Sequence, residues 1–375
     1  MKSHNSSATP AERSTTPPAG SRVSEDARGG AARGGAGTRA DEGSRTAGGT
    51  RSGEGNRAPA GRLFTWPLII GVIVTAGLVT VSLFVGEYDI FSGEDGAAIF
   101  QITRIPRTIA LVLAGAAMAM CGLVMQMLTQ NRFVEPTTTG TTEWAGLGLL
   151  LTMVVAPDAS VLTRMVVAVV FAFVGTLIFF AFLSRIQLRS SVIVPIVGLM
   201  LGAVVGALSN FIALQTNLLQ SLGIWFAGSF TSVLRGQYEP LWIVVVVVIA
   251  IFIAADRFTV AGLGKDIATN VGLNYNRIIL LGTGLVALAS GLVTVVVGNL
   301  PFLGLVVPNV VSMFRGDDLR SNLPWVCLAG ISLVTICDLV GRTIIAPFEV
   351  PVSLILGIIG SIVFVALLLQ RRRGQ

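Results

Sequence analysis

Residues 278–314 read IILLGTGLVALASGLVTVVVGNLPFLGLVVPNVVSMF, 37 consecutive positions between Arg277 and Arg315 without one charged side chain. A helix needs about 20 mostly apolar residues to cross the hydrocarbon core of a bilayer. The stretch is too long for one crossing and long enough for two, and Gly298-Asn299-Leu300-Pro301 supplies the break between them. Further charge-free stretches lie at 63–86, 108–131, 144–157, 165–184, 190–234, 240–255, 321–337 and 350–370. The stretch 190–234 reads as one span followed by a polar re-entrant or interfacial piece from Gln215 to Ser232. The third span, 144–157, is short and follows the threonine-rich run Thr137–Thr142, which can satisfy the backbone groups of a broken helix. The expectation is an all-α integral membrane protein with ten transmembrane helices.

Composition agrees. The 375-residue chain is 53% hydrophobic and 12% charged, with a mean hydropathy of +0.79, against about 25% charge in a soluble protein. Residues 1–62 differ: they are rich in Gly, Ala, Arg, Ser and Thr, and they hold ten of the 26 basic residues and six of the 20 acidic ones. Such a segment buries too little apolar surface to offset chain entropy. It is expected to be a disordered cytoplasmic tail ahead of a transmembrane domain at 63–375. No apolar core with a cleavage site precedes Leu63, so it does not read as a signal peptide.

Ten spans place both termini on one side. With a cytoplasmic tail, the inner loops collect Arg62, Arg132, Arg185, Arg189, Arg257, Lys265, Arg277, Arg315, Arg320 and Arg371 to Arg373. The outer loops hold Arg104, Arg107, Arg164, Arg235 and Arg342, so the positive-inside rule favours this orientation. Arg164 and Arg235 suit headgroup contact or a loop ion pair. Arg104 and Arg107 frame Pro106 on the first turn of span two, where two guanidiniums suit bidentate capture of carboxylates from a docking protein.

Several chemistries are excluded. The single histidine, His4, lies in the tail, so the membrane domain has no imidazole-based metal or catalytic site. A phosphate-binding Walker A loop needs Gly-x-x-x-x-Gly-Lys-Ser/Thr; the two lysines are Lys2 and Lys265, and neither fits. Cys121, Cys327 and Cys337 sit in apolar runs as small hydrophobes. No catalytic residue, metal site or cofactor is expected.

Two features remain to be explained. The inner loop Asp256–Arg277 reads as about two short amphipathic helices, with Ile267, Val271 and Leu273 apolar and Gly262, Gly264 and Gly272 as breaks. It suits either docking of a cytoplasmic partner or an interfacial membrane helix. Within the spans, Asp338 is the carboxylate, and Arg342 four residues on shares its helix face. This reads as an ion pair, with a proton relay as the alternative.

Four blocks together resemble the FecCD family, the permease subunits of iron-siderophore and vitamin B12 ABC importers. They are Arg104-Ile-Pro-Arg107 with Leu113–Ala117 and Gln126; Gly262–Leu273; Pro301–Pro308; and Asp338–Arg342 with Glu349-Val-Pro351. The similarity runs from about Leu63 to Arg373. It implies a BtuC-like ABC importer permease of ten helices, paired with a second permease, two cytoplasmic ATP-binding subunits and an extracytoplasmic substrate-binding lipoprotein. ATP would be bound by the partner subunit, and no nucleic acid is involved. The resemblance further implies that Arg104, Arg107 and Arg342 receive glutamates of the binding protein. The segment bearing Gly262, Leu263, Gly264, Lys265, Asp266, Ala268, Gly272 and Leu273 would sit in the ATPase groove.

The chain departs from the family pattern at Asn131–Glu135, in place of Arg-Asn-Pro-Leu-Ala, and at Pro308-Asn309, in place of Pro-His. Both variants resemble the branch that takes up catecholate chelates of the petrobactin type, whose permeases are commonly heterodimeric. Cobalamin or haem as cargo stays open. A proton-coupled secondary transporter would want paired intramembrane acids, where this reading finds Asp338 alone. A scaffold or receptor would tolerate loss of Gly262–Leu273.

Overall fold

The computed structural model describes residues 66–86, 96–185, 193–345 and 347–373. The tail at 1–62 lies outside them, as do the inner-loop arginines Arg62 and Arg189. Apart from one isolated bridge between Ile345 and Phe348, every regular element described is helical. In order they are α1 (Trp66–Phe84), α2 (Gly96–Ile99), a π-turn (Phe100–Arg104) running into α3 (Ile105–Leu128), α4 (Thr141–Val155), α5 (Val161–Leu183), α6 (Ile193–Gln215) and α7 (Leu219–Phe226). A 3-10 turn (Glu239–Trp242) then leads into α8 (Ile243–Gly262), followed by α9 (Lys265–Asn270), α10 (Tyr275–Val296), α11 (Leu303–Arg315), α12 (Leu319–Thr343) and α13 (Val352–Arg373).

Among the described residues, seven helical segments are long and apolar enough to cross a bilayer: 66–84, 100–128, 161–183, 193–215, 239–262, 275–296 and 319–343. Three shorter apolar helices, Thr141–Val155, Leu303–Arg315 and the Val352–Leu367 part of α13, stand where the remaining three of ten spans were expected. The shortfall at α4 and α11 has a local cause. Residues 129–140 and 297–302 stay non-helical, and each removes turns from the helix that follows. In the stretch 190–234, α6 is the one long helix, and the piece from Gln215 to Ser232 contains the short helix α7.

The loop at 256–277 differs from the expected pair of short helices. Ala254, Ala255, Phe258 and Ala261 continue the buried face of α8, so that helix runs on to Gly262. Gly264 at φ 110° ends it, and the six-residue α9 is the only separate helix before α10.

Packing is organised around α3. Its most apolar window is 83% buried against 17% for α1, and it contacts α1, α8, α10, α11 and α12. Lipid is as apolar as leucine, so helices associate here through close backbone approach rather than hydrophobic exclusion. Two glycines seven residues apart on α3 provide it. Gly115 meets Gly330 of α12, and Gly122 meets Gly304 at the start of α11 so closely that a Cβ on Gly122 would lie 2.0 Å from the Gly304 carbonyl oxygen. By contrast α1 is peripheral: Leu68, Thr75 and Ser82 are its buried residues, and Thr75 Oγ1 shares a 2.9 Å hydrogen bond with Ser332 Oγ of α12.

Gly122→Ala should lower stability by about 1–3 kcal/mol, the usual cost of overpacking, read as a lower melting temperature of the purified protein. Gly77→Ala, where a Cβ meets nothing within 4 Å, should leave it unchanged.

Candidate functional site

At one end of the bundle Asp338 of α12 is shared by two guanidiniums. Arg107 of α3 reaches its Oδ1 through Nη2 at 2.7 Å and Nε at 3.2 Å. Arg342, one turn along α12, pairs with Oδ2. The Asp338 side chain is fully buried, and those of Arg107 and Arg342 are 13% and 7% exposed. Arg107 also donates from Nη1 to both oxygens of Glu349, 2.9 Å each, and Thr231 Oγ1 donates to the same carboxylate. Burial acts to raise the Glu349 carboxyl, but the hydrogen bonds from Arg107 and Thr231 outweigh it and hold it below the usual carboxylate range.

Arg342, together with Arg104, fastens α1. Arg342 donates to the carbonyls of Ser82 (3.1 Å) and Val85 (2.8 Å) and to Ser82 Oγ (2.5 Å). Arg104, 8% exposed, donates to the carbonyls of Leu83 and Phe84 at 3.2 and 3.1 Å. These are the unpaired carbonyls of a helix C-terminus, where cations are stabilising. Arg104, Arg107 and Arg342, the three that the resemblance groups, thus all lie at this end of the bundle. They are engaged with their own chain, however, and the fork of Arg107 already holds Glu349. Of the other outer arginines, Arg164 donates to the Pro157 carbonyl at 2.9 Å.

A second polar centre lies where the α3–α4 connector meets α11. Glu135 is fully buried and accepts from the backbone N–H of Phe302 (2.7 Å) and Leu305 (3.0 Å) and from Thr137 Oγ1 (2.5 Å). A carboxylate at a helix N-terminus meets its orphan donors and the positive end of its dipole. It also stabilises Phe302, a non-glycine residue held at φ 63°. Gln126 Nε2 donates to the Gly304 carbonyl at 3.2 Å, and Asn309 Nδ2 donates to the carbonyls of Arg132 (2.8 Å) and Leu305 (2.7 Å). The two departures from the family pattern, Glu135 and Asn309, thus tie the same connector to the same helix. Thr138 and Thr139 bond the Glu135 backbone, satisfying the break as the threonine run suggested.

At the opposite end of α3, the junction between α8 and α9 lies against its C-terminus, and α9 itself contacts α8 and α10. Gly262 packs on Met127, Gly264 sits beside Gln130, and Ala268 is buried. Leu263, Ile267 and Val271 are 59%, 49% and 71% exposed, and Lys265, Asp266 and Gly272 are exposed with them, while Leu273 is half-buried.

Sequence reasoning missed three things. Arg107 is the second partner of Asp338 across 231 positions of chain. Glu349 joins the network as a further acid. Glu143, which precedes the charge-free stretch 144–157, lies inside α4, so Asp338 is not the sole carboxylate in the bundle.

An all-helical bundle with a buried ion network at one end and a capped, broken helix inside it has the architecture of a polytopic membrane transport protein. Residues 65–370 match the FecCD transport family, and the chain belongs to that family. It is 58% identical over 314 residues to the petrobactin import system permease protein FatD of Bacillus anthracis, covering 84% of this chain and 94% of that protein. It is 42% identical over 302 residues to the petrobactin import system permease protein YclN of Bacillus subtilis, covering 79% and 95% respectively. Its fold is similar to that of a solved structure described as an inward-facing metal-chelate type ABC transporter, with a TM-score of 0.69 at 21% identity, covering 81% of this chain and 99% of the other.

Removing one partner of a buried pair costs about 3–5 kcal/mol, because it strands the remaining charge. Asp338→Ala strands two, and should lower the melting temperature far more than Glu239→Ala at the exposed 3-10 turn. Glu349 gives a pH signature. Its folded carboxyl gives up its proton more readily than an unfolded one at about 4.3, so its contribution is complete above that pH and is lost as pH falls through the lower folded value. The stabilities of Glu349→Gln and the parent should differ above pH about 4.3 and converge below it.

Proposed function

We propose that this chain is the permease subunit of an importer that carries a ferric siderophore of the petrobactin type across the cytoplasmic membrane, driven by ATP hydrolysed on a separate subunit. The observation that carries this reading is the 58% identity, over 84% of the chain, to a petrobactin import permease. The connector bearing Glu135 and Asn309 supports it, since these are the positions at which the sequence resembles the petrobactin-type branch.

In this reading the chain crosses the membrane ten times with both termini in the cytoplasm. α4 and α11 complete their crossings through non-helical residues buried in protein, the only setting in which such backbone is tolerated at membrane depth. A second permease covers the long, mostly exposed flank of α6, whose buried residues form one stripe from Val194 to Ala213; a heterodimer is favoured.

α9 is then the contact for the ATPase. Ile267 within it and Leu263 and Val271 beside it are exposed apolar residues, and Gly262 rests on Met127 at the end of α3. Movement of α9 would reach α8 and α10 first, then the end of α3 through Gly262, and the connector and α11 through Glu135 and Asn309. At the other end, the binding lipoprotein would dock over Arg104, Arg107 and Arg342. Arg107 is the one that can change partner, exchanging half-exposed Glu349 for a carboxylate of the docking protein while Asp338 stays in place.

A strain lacking this permease should regain growth on ferric petrobactin, under iron limitation, when the chain is restored. Failure to regain growth on that chelate, with rescue on a hydroxamate or cobalamin instead, would reassign the cargo. Ile267→Asp should abolish both rescue and co-purification of the ATPase while leaving the amount of inserted permease unchanged.

A further inference from the structure

The sequence carries no charge along α6, yet the structure brings one to it. Glu143, the third residue of α4, faces α6 at Gly202, where a Cβ would sit 3.5 Å from the Glu143 Cδ. Gly202 is about 14 Å along α6 at 1.5 Å per residue, close to the middle of that helix. The carboxylate borders a cavity of about 300 Å3 between α4, α6 and α7, lined also by Gly206, Ser209, Asn210, Gly223 and Phe226.

The lining points to one ligand chemistry. Glu143 Oε2 accepts from Thr142 Oγ1 at 3.0 Å, and among the described residues no lysine or arginine forms an ion pair with it. Ser209 is 2% exposed and its hydroxyl has no hydrogen-bond partner, although a helical serine can bond the carbonyl four residues back. At Gly206 and Gly223 a Cβ would meet nothing within 4 Å, so the space beside the polar groups stays open. A carboxylate in a low-dielectric setting calls for a counter-ion, and an acid within a membrane bundle marks a functional site by default. Hard metal ions want six or more oxygens, or several retained waters, which one carboxylate, one hydroxyl and one amide beside apolar walls do not supply. A compact ammonium on an alkyl stem needs fewer acceptors and gains from the apolar side of Phe226.

We propose that this cavity is a subsite for a protonated alkyl amine, with Glu143 as counter-ion and Ser209 and Asn210 as hydrogen-bond acceptors. The amine belongs either to the transported chelate or to a free polyamine. The first source rests on the importer reading above; the subsite itself does not.

The test uses the full chain in lipid nanodiscs, titrated calorimetrically with spermidine and with its neutral triacetyl derivative at constant ionic strength. Saturable binding of spermidine but not of the acetylated form is expected. Glu143→Gln should weaken it about tenfold or more, the scale of a lost charge-assisted hydrogen bond. Glu239→Gln, outside the cavity, should not change it. Glu143→Gln is nearly isosteric and keeps an acceptor for Thr142, and a monodisperse size-exclusion peak confirms its fold. If it does not fold, Ser209→Ala and Asn210→Ala carry the test. Equal spermidine affinity in the parent and the variants, or equal binding of the acetylated form, overturns the proposal. Competition between spermidine and ferric chelate uptake in cells places the amine on the cargo, whereas binding without competition assigns the subsite to a free polyamine. Full chelate uptake with no spermidine binding overturns the subsite and leaves the importer reading intact; spermidine binding with no uptake does the reverse.

Discussion

A carboxylate buried among helices must be met by cations, and Asp338 is met twice, by Arg107 of α3 and Arg342 of α12. Each arginine also donates elsewhere, Arg107 to Glu349 and Arg342 to the last carbonyls of α1. Arg104 reaches the same helix end. Three helices and the loop before α13 are thereby joined at one end by a network centred on the buried Asp338, whose charge would be stranded without its arginines. The peripheral α1 buries few residues of its own, and its C-terminal carbonyls depend on these arginines.

The interior is fixed by a different device. Gly115 and Gly122 bring α3 against α12 and α11 at backbone distance, and the broken entry to α11 is closed by the Glu135 carboxylate. The connector carrying Glu135 begins where α3 ends, beside the residues on which the α8–α9 junction rests. One set of packed groups therefore runs from the α8–α9 junction to the middle of the bundle. Its first link is the packing of Gly262 on Met127, and hydrogen bonds from Gln126, Glu135 and Asn309 form the remainder.

The helices were legible because a bilayer imposes a simple rule, charge outside and apolar length inside. That rule located each described long helix and the break before α11. It failed where local sequence was ambiguous: Glu143 looked like the edge of a span and lies within α4, and the residues after Asp256 looked like a loop but continue α8. Asp338 and Arg342 were visible as a pair because they are one helical turn apart. The role of Arg107 was not, because its partners lie more than 230 positions away and only tertiary packing brings them together. The exposed apolar residues of α9 were readable from alternation among glycines, whereas the bonding between Glu135 and the start of α11 leaves no periodic trace.

The proposed importer takes its energy from a partner subunit, and that is directly measurable. Proteoliposomes holding this chain with its partner permease and ATPase can be supplied with the binding protein and radioiron-labelled ferric petrobactin outside. Uptake that requires ATP on the ATPase side and persists when a protonophore removes the proton gradient is the predicted result. Uptake that collapses with the gradient while ATP is intact would contradict it.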